Sequence, residues 1–165
     1  MNQSELKKIL YYNQKTGVFI WMVSKSNRVK VGDIAGSLHI IHGYIKIKIN
    51  GKLYQAHRLA FLYVNGMLPK DEVDHINHNK ADNRFSNLRE VTHRENGKNL
   101  SKITTNTSGI MGVSWHKSNL RWIAFITVLK KRINLGSFVQ FHEAVNARKN
   151  AEVLYGFHKN HGEKI

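Results

Sequence analysis

Cysteine is absent from this sequence of 165 residues, so the chain can form neither a disulfide nor a cysteine-ligated zinc site. Long apolar runs are absent as well, since none approaches the roughly 18 residues that a membrane span needs. The first residues lack the pattern of a secretory signal. We therefore expect a soluble protein with no membrane partner, working in the compartment where it is made, the cytoplasm.

Acidic residues are scarce in this chain. Only 11 Asp and Glu stand against 26 Lys and Arg, which gives a net charge of +15 and a pI near 10.1. The excess is spread along the sequence, because the parts before and after residue 105 are both basic. This distribution favours a nucleic-acid partner, since neutralising phosphates releases counterions. Charge alone also allows an RNA-binding protein or a merely soluble basic protein.

Proline occurs once, at Pro69. Most other predicted boundaries between helices and strands are marked by residues that favour turns. Residues 44–49 alternate apolar with basic side chains and lead through Asn50-Gly51 into a second short run, which predicts a hairpin. Its basic residues are Lys46, Lys48 and Lys52. They predict one basic face that contacts DNA phosphates, although a solvated sheet face fits the same pattern.

Helix and strand signals organise the remaining chain. Helical spacing of apolar residues predicts a helix from His57 to Val64, ended by Asn65-Gly66. After residue 105, three β-favouring runs predict a meander with one helix-facing side and one basic and aromatic outer side. The last predicted helix runs from Phe141 to Tyr155. Its packing stripe is Ala144, Ala147, Ala151 and Leu154.

The stretch from Asp74 to Asn96 concentrates the candidate chemistry. Thr92-x-x-Glu95 is a capping box, which predicts a helix beginning just after Thr92. Asp74 and Asn96 offer oxygen ligands of the kind that suits Mg²⁺. His75 points away from Asp74 if the strand is regular, and its ordinary pKa near neutrality suits a general base for phosphodiester hydrolysis.

Two further residues of this stretch leave alternatives open. Asn87 either orients the His75 imidazole or is an ordinary loop-closing Asn. His93 is a candidate catalytic residue that also fits a polar surface position, and the same holds for His78.

These residues resemble the phage-type HNH endonucleases, including homing endonucleases. The resemblance covers about residues 40 to 100, and it rests on segments whose order and spacing match: His57-Arg58-Leu59, Val73-Asp74-His75-Ile76, Asn79-Lys80, Asn83-Arg84, Asn87-Leu88-Arg89 and Val91-Thr92-His93-x-x-Asn96. It implies a ββα-metal fold, with a divalent metal (Mg²⁺, or Mn²⁺ as a substitute) on Asp74 and Asn96. It implies His75 as general base, Asn87 as the middle Asn that supports the loop, and cleavage of DNA to 5′-phosphate and 3′-hydroxyl ends. Because Asn96 stands where the family name has His, as in some nicking members, the resemblance also allows single-strand cleavage. Arg89 is assigned to DNA contact.

The part after residue 106 resembles AP2/ERF-type DNA-binding domains. Ser108-Gly109, Gly112-Val113, Arg121-Trp122, Leu135-Gly136-x-Phe138 and Glu143-Ala144 match in order. The resemblance implies a sheet that lies in the major groove with six side chains on the DNA-facing positions: Ser114, His116, Arg121, Thr127, Arg132 and Asn134. It departs from that family where Gln140 replaces the usual helix-capping Thr.

The sequence therefore predicts an α+β protein, with a ββα-metal HNH core between a small β-rich region and an AP2-like three-stranded antiparallel sheet packed on one helix. The predicted parts are residues 1–55 (β-rich, contacting DNA), 56–100 (nuclease core), 101–107 (linker) and 108–165 (DNA-binding domain). Its predicted function is metal-dependent cleavage of double-stranded DNA, with a monomer favoured. The alternative is a catalytically weak DNA-binding regulator that keeps the HNH scaffold.

Overall fold

The chain is a mixed α+β protein, and the computed structural model describes residues 1–100 and 105–163. They belong to two compact units, Met1–His93 and Arg94–Ile165. The elements are α1 Gln3–Ile9, β1 Leu10–Asn13, β2 Val18–Trp21, β3 Ile34–Ala35, β4 Ser37–His39, β5 Tyr44–Ile49, β6 Lys52–Gln55, α2 Ala56–Asn65, β7 Glu72–His75, β8 Leu88–Val91, α3 His93–Asn96, β9 Val113–His116, β10 Arg121–Val128, β11 Lys131–Phe138 and α4 Phe141–Leu154. Across the described ranges no helix is long and apolar enough to cross a membrane.

The first unit combines three small sheets with α1 and α2. The sheets have the strand orders β1-β2-β3, β4-β5-β6 and β7-β8. One hydrophobic core joins Leu6, Phe19 and Ile47 to Leu59 and Leu88, all buried. Residues of the predicted N-terminal region and of the predicted nuclease core are therefore packed together rather than separately.

The hairpin of β5 and β6 forms at the predicted Asn50-Gly51 turn, where φ is 48° and 81°. Its register corrects the prediction of a single basic face. Lys46 and Lys48 lie opposite Gln55 and Leu53, but Lys52 pairs with the buried Ile49 and so lies on the other face. A two-residue turn sets this parity, because strand partners on either side of it share a face.

Helix α2 confirms the predicted helix and its stop. Gly66 has a left-handed φ of 81°, and its amide donates to the Leu62 carbonyl at 3.1 Å. On the same helix Arg58 donates to the Pro69 carbonyl at 2.6 Å and the Asp71 carbonyl at 3.0 Å. These bonds fix the path of the chain into β7.

The second unit is the predicted three-stranded antiparallel meander, in the order β11-β10-β9, with α4 against it. Ala124 and Ile126 of β10 are buried, as are Ala144 and Ala151 of α4, which confirms the predicted packing face. Leu154 is a correction: at the last position of α4 it is 77% exposed. The helical stripe therefore ends one turn earlier than its spacing indicates.

The four predicted domains differ from these two units in their boundaries, and the division stays a prediction. Residues 101–104 of the predicted linker lie outside the described residues. The division between the units falls after His93, at the start of α3.

Candidate active site

The two-stranded sheet of β7 and β8 carries the central pair of the site. Its register pairs Asp74 with Arg89 and His75 with Leu88, so Asp74 and His75 lie on opposite faces, as the alternation of a regular strand predicts. Arg89 donates through Nε and Nη2 to Asp74 Oδ2, at 2.8 and 2.7 Å. The buried carboxylate of Asp74 is therefore neutralised by Arg89, the residue that sequence reasoning assigned to DNA.

His75 lies in a cluster of rings from three separate elements. Its ring centroid is 5.1 Å from His57 of α2 and 5.8 Å from Tyr44 of β5, and His57 and Tyr44 are 5.0 Å apart. Burial lowers the pKa of His75, although a hydrogen bond with Asn83 and the charge of Asp74 oppose the shift. His75 is therefore mostly uncharged at neutral pH, the form that can accept a proton.

Asn83 fixes the orientation of the His75 ring. Its Nδ2 donates to the Ala81 carbonyl at 3.2 Å, which turns Oδ1 toward His75 Nε2 at 3.4 Å. Because an amide oxygen only accepts, His75 Nε2 is the donor if this long contact is a hydrogen bond. The network thus supports one tautomer of the candidate base.

The N-terminal hairpin holds Asn83 in place. The Tyr12 hydroxyl donates to the Asn83 carbonyl at 2.6 Å. Gly17, with a φ of 76°, packs against the same segment so closely that a Cβ there would lie 2.4 Å from Arg84 N. Only glycine fits that contact, since a side chain would meet main-chain atoms.

Asn87 binds the loop between the two strands. Its Oδ1 accepts from the Asn77 amide at 3.0 Å, and its Nδ2 donates to the Asp82 carbonyl at 2.9 Å. Asp82 is itself paired with Arg84, whose hydrogen bond lowers the pKa of the carboxyl. These contacts are those of the loop-supporting Asn, and a direct catalytic role of Asn87 stays a prediction.

His57 is a buried histidine held in its uncharged form. Its Nε2 donates to Gln55 Oε1 at 3.0 Å, and its Nδ1 is buried without a hydrogen-bond partner among the described residues. Burial, with His75 and Arg58 nearby, lowers the pKa of His57 to about 3 from the ordinary 6.5. A proton on this ring is therefore unfavourable in the folded protein.

The buried His57 is expected to make the first unit sensitive to acid. The unfolded chain takes up this proton below about pH 6.5 and the folded chain only near pH 3, so the free energy of unfolding should fall as the pH drops through this window. His57→Phe keeps a ring and removes the proton site. Urea unfolding at several pH values should show a shallower decline for His57→Phe, whereas identical slopes would contradict the assignment.

Helix α3 begins at His93, directly after Thr92, which is where the sequence predicted a helix start. His93 is exposed, and its Nδ1 is 2.7 Å from Glu72 Oε1. This places His93 beside the first residue of β7. The roles of His93 in catalysis and of Asn96, which belongs to the second unit, as a metal ligand stay predictions.

Asp74 is the residue of this site best suited to a divalent cation. It offers a buried carboxylate that already accommodates the cationic Arg89. Within the described ranges no group of three or more His, Asp or Glu could enclose a metal. Oxygen donors in such small number fit an ion that keeps several waters and shares a phosphate oxygen of its substrate.

The six side chains that sequence reasoning assigned to DNA in the second unit are all exposed. Strand register pairs Arg121 with His116 and Thr127 with Arg132, and Ser114 and Asn134 lie opposite Ile123 and Phe125. Arg132 also stacks on Phe125, with its guanidinium carbon 3.6 Å from the ring centre. The six residues therefore share the face of the sheet opposite buried Ala124 and Ile126.

Comparison with known proteins identifies the site. Residues 54–98 match the family model of the HNH endonucleases, and this segment contains Asp74, His75, Asn87 and Asn96. This segment is therefore similar to an HNH endonuclease domain. The match agrees with the predicted HNH likeness, while the nuclease core of residues 56–100 as a domain and the AP2-like identity of the second unit stay predictions.

Two viral proteins are similar to part of this chain. The chain is 36% identical over 74 residues to Protein 3.8 of Escherichia phage T7, covering 44% of this chain and 61% of that protein. It is 42% identical over 66 residues to an uncharacterised HNH endonuclease of Acanthamoeba polyphaga mimivirus, covering 39% of this chain and 34% of that one. The chain thus spans less than two thirds of the length of either relative.

A solved structure of the HNH homing endonuclease I-HmuI, from work on its DNA binding and cleavage, is also similar. The likeness has a TM-score of 0.45 and 21% identity, and it covers 97% of this chain and 93% of that chain.

Sequence reasoning assigned no role to several residues around the HNH site. His57 and Asn83 were part of the matching motifs, and that membership was the available signal. Tyr12 and Tyr44 gave no local signal, because their contacts with Asn83 and His75 join distant parts of the chain.

Proposed function

We propose that this chain is a metal-dependent DNA endonuclease of the homing type that hydrolyses phosphodiester bonds in double-stranded DNA. The observation that carries the proposal is His75, a buried histidine with a lowered pKa that contacts Asn83 and directly follows Asp74 within the segment that matches the HNH family. A purely DNA-binding protein has no need of such a histidine.

His75 acts in this proposal as the general base. Its Nδ1 takes a proton from water as the water oxygen bonds to phosphorus. The bond between phosphorus and the 3′ oxygen breaks, and the 3′ oxygen takes a proton from solvent, leaving 5′-phosphate and 3′-hydroxyl ends. Asp74 and Asn96 would hold Mg²⁺, or Mn²⁺ in its place, which when bound neutralises charge on the phosphate and the leaving oxygen. Asn83 orients the base, and Asn87 supports the loop, through the contacts described above.

Two basic surfaces would bind the DNA. Lys46 and Lys48 line one face of the β5–β6 hairpin and would contact phosphates, with Lys52 at its other face. The exposed face of the second unit would enter the major groove in the manner of an AP2-type domain, through the six side chains named above. A monomer of this kind has one site and would cut one strand per encounter.

Cleavage of supercoiled plasmid tests the proposal. Purified protein with Mg²⁺ should convert the plasmid to open circles or linear molecules, and a chelator should stop the conversion. An intact plasmid with Mg²⁺ and with Mn²⁺, together with retained binding to the same DNA, would indicate a catalytically weak DNA-binding regulator instead.

The exposed arginines of the second unit give a further prediction. If Arg121 and Arg132 read bases, each change to Ala should weaken DNA binding by about 1–3 kcal/mol. Arg→Lys at the same positions is the matched control, because it keeps the charge and loses the bidentate hydrogen bonds. Binding to a fluorescent duplex at fixed salt measures both, and unchanged affinity in the Ala variants would place the reading surface elsewhere.

A further inference from the structure

Two neighbouring isoleucines protrude at the turn between β4 and β5. Ile40 is 91% exposed and Ile41 is 84% exposed, the highest values among the large hydrophobic side chains in the described ranges. Turns favour Gly, Pro, Asn, Asp and Ser, so a pair of β-branched apolar residues is unusual there. Local folding therefore gives no reason for this pair.

The turn that contains Ile40 and Ile41 is held by main-chain hydrogen bonds and by a stack of two imidazole rings. The amides of His42 and Gly43 donate to the His39 carbonyl at 3.1 and 2.8 Å, and Gly43 takes a left-handed φ of 72°. The imidazoles of His39 and His42 stack with their centroids 4.8 Å apart and their planes 5° from parallel. The isoleucines thus project from a well-defined turn, which reduces the entropy lost if they bind.

The same turn adjoins the HNH site. Tyr44, the residue after Gly43, contacts the rings of both His57 and His75. Lys80 of the HNH loop lies over the Tyr44 ring, with its Nζ 5.1 Å from the centroid, and a Cβ at Gly43 would lie 3.6 Å from its side chain. The turn is therefore connected to His75 through Tyr44, the residue that follows it.

Charge around the turn favours a polyanion. Lys80 is beside it, and Lys46 lies on β5 behind it, opposite Ser37 of β4. Of the nearby carboxylates, Asp74 and Asp82 are each paired with an arginine, and Glu72, whose charge also acts on Tyr44, contacts His93. An apolar tip within basic surroundings matches duplex DNA, whose bases are apolar and stacked and whose backbone is anionic.

We propose that Ile40 and Ile41 form a wedge that inserts between base pairs of duplex DNA next to the phosphate attacked at His75. The inference rests on the proposed nuclease function for the position of that phosphate. Apolar wedges of this kind unstack a base step and bend the duplex. The free energy gained by burying two isoleucine side chains is comparable to the free energy that unstacking one base step costs. Insertion would also widen access to the DNA backbone beside that step.

DNA unwinding tests the wedge without requiring cleavage. A plasmid is relaxed by a metal-independent topoisomerase in chelator while the protein is bound, and its linking number is measured after the protein is removed. The wild-type chain should leave negative supercoils, because an inserted wedge unwinds the step. Ile40→Ser/Ile41→Ser should lose this effect at concentrations where gel retardation shows equal binding, and Ile40→Leu/Ile41→Leu should keep it.

The control is Val153→Ser/Leu154→Ser, a second adjacent pair of aliphatic residues, 83% and 77% exposed on α4. It should unwind DNA as the wild type does. Unwinding by the Ile→Ser variant, or no unwinding by bound wild-type protein, would overturn the wedge. So would a wild-type dimer in sedimentation that the Ile→Ser variant abolishes, because the tip would then be a contact between copies.

Failure of the wedge and failure of the nuclease can be told apart. Wild-type protein that cuts plasmid in Mg²⁺ but does not unwind it in chelator would support the nuclease function and contradict the wedge. Wild-type protein that unwinds plasmid but never cuts it would support DNA insertion by Ile40 and Ile41 and contradict the attack on an adjacent phosphate.

Discussion

His75→Ala is expected to lower plasmid cleavage by roughly 10²–10⁴-fold, the usual contribution of a general base. The reason is that the buried imidazole is the group in the HNH domain that is held uncharged and oriented by Asn83. DNA affinity should change little, because the binding surfaces lie on other residues. The measurement is the rate of open-circle formation at saturating protein.

The matched control for this change is His142→Ala. His142 is exposed on α4 and takes no part in the site, so its variant should cut at the wild-type rate. Thermal unfolding must show that His75→Ala is folded, and His75→Asn offers a smaller loss of packing if it is not. Wild-type cleavage rates in folded variants of His75 would exclude it as the base.

Arg148→Ala is expected to destabilise the second unit by about 3 kcal/mol, near the lower end of the cost of removing one partner from a buried ion pair. Arg148 and Glu152 are both buried, with Nε donating to Oε1 at 2.9 Å, and Arg148 Nη1 also donates to the Phe125 carbonyl at 2.9 Å. Removal of the guanidinium leaves the carboxylate and that carbonyl without these donors. Lys149, 3.0 Å from Glu152, compensates in part.

Urea unfolding followed by tryptophan fluorescence measures this loss, since Trp115 and Trp122 both lie in the meander. Lys149→Ala is the comparison on the same helix. Lys149 is half exposed, so removing its ion pair should cost about 1 kcal/mol or less. Equal effects of the two changes would show that burial of the Arg148–Glu152 pair contributes nothing special.

Local patterns predicted the elements whose signals lie within a few residues of one another. The Asn50-Gly51 turn, the left-handed Gly66 and the alternation of β10 each depend on neighbouring residues, and each is present in the structure. The error over Lys52 came from treating basic residues as one face without counting through the turn. The error over Leu154 came from extending a helical period to the last residue of a helix, where packing ends.

The roles of the candidate site residues stay predictions, and their long-range contacts were not predictable from the sequence. Asp74 and His75 carry a motif, and the alternation of side chains along a strand placed them correctly on opposite faces. The partners of His75 are 18 and 31 positions away in sequence, at His57 and Tyr44, and periodicity carries no information at that range. Arg89 illustrates the same limit, since the net positive charge of the chain led to its assignment to DNA, whereas in the structure it is paired with the Asp74 carboxylate.

The close approach of Gly17 to Arg84 bears on whether the segment that matches the HNH family could be transferred to another protein. The segment that matches the HNH family begins at residue 54. Its loop nevertheless contacts Tyr12 and Gly17, and its hydrophobic core includes Leu6 and Phe19. The amide of Phe85 also donates to the Gln14 carbonyl at 3.0 Å. A cassette cut at the motif boundaries would therefore lack its own scaffold, and grafting or recombination would have to carry the first fifty residues with it.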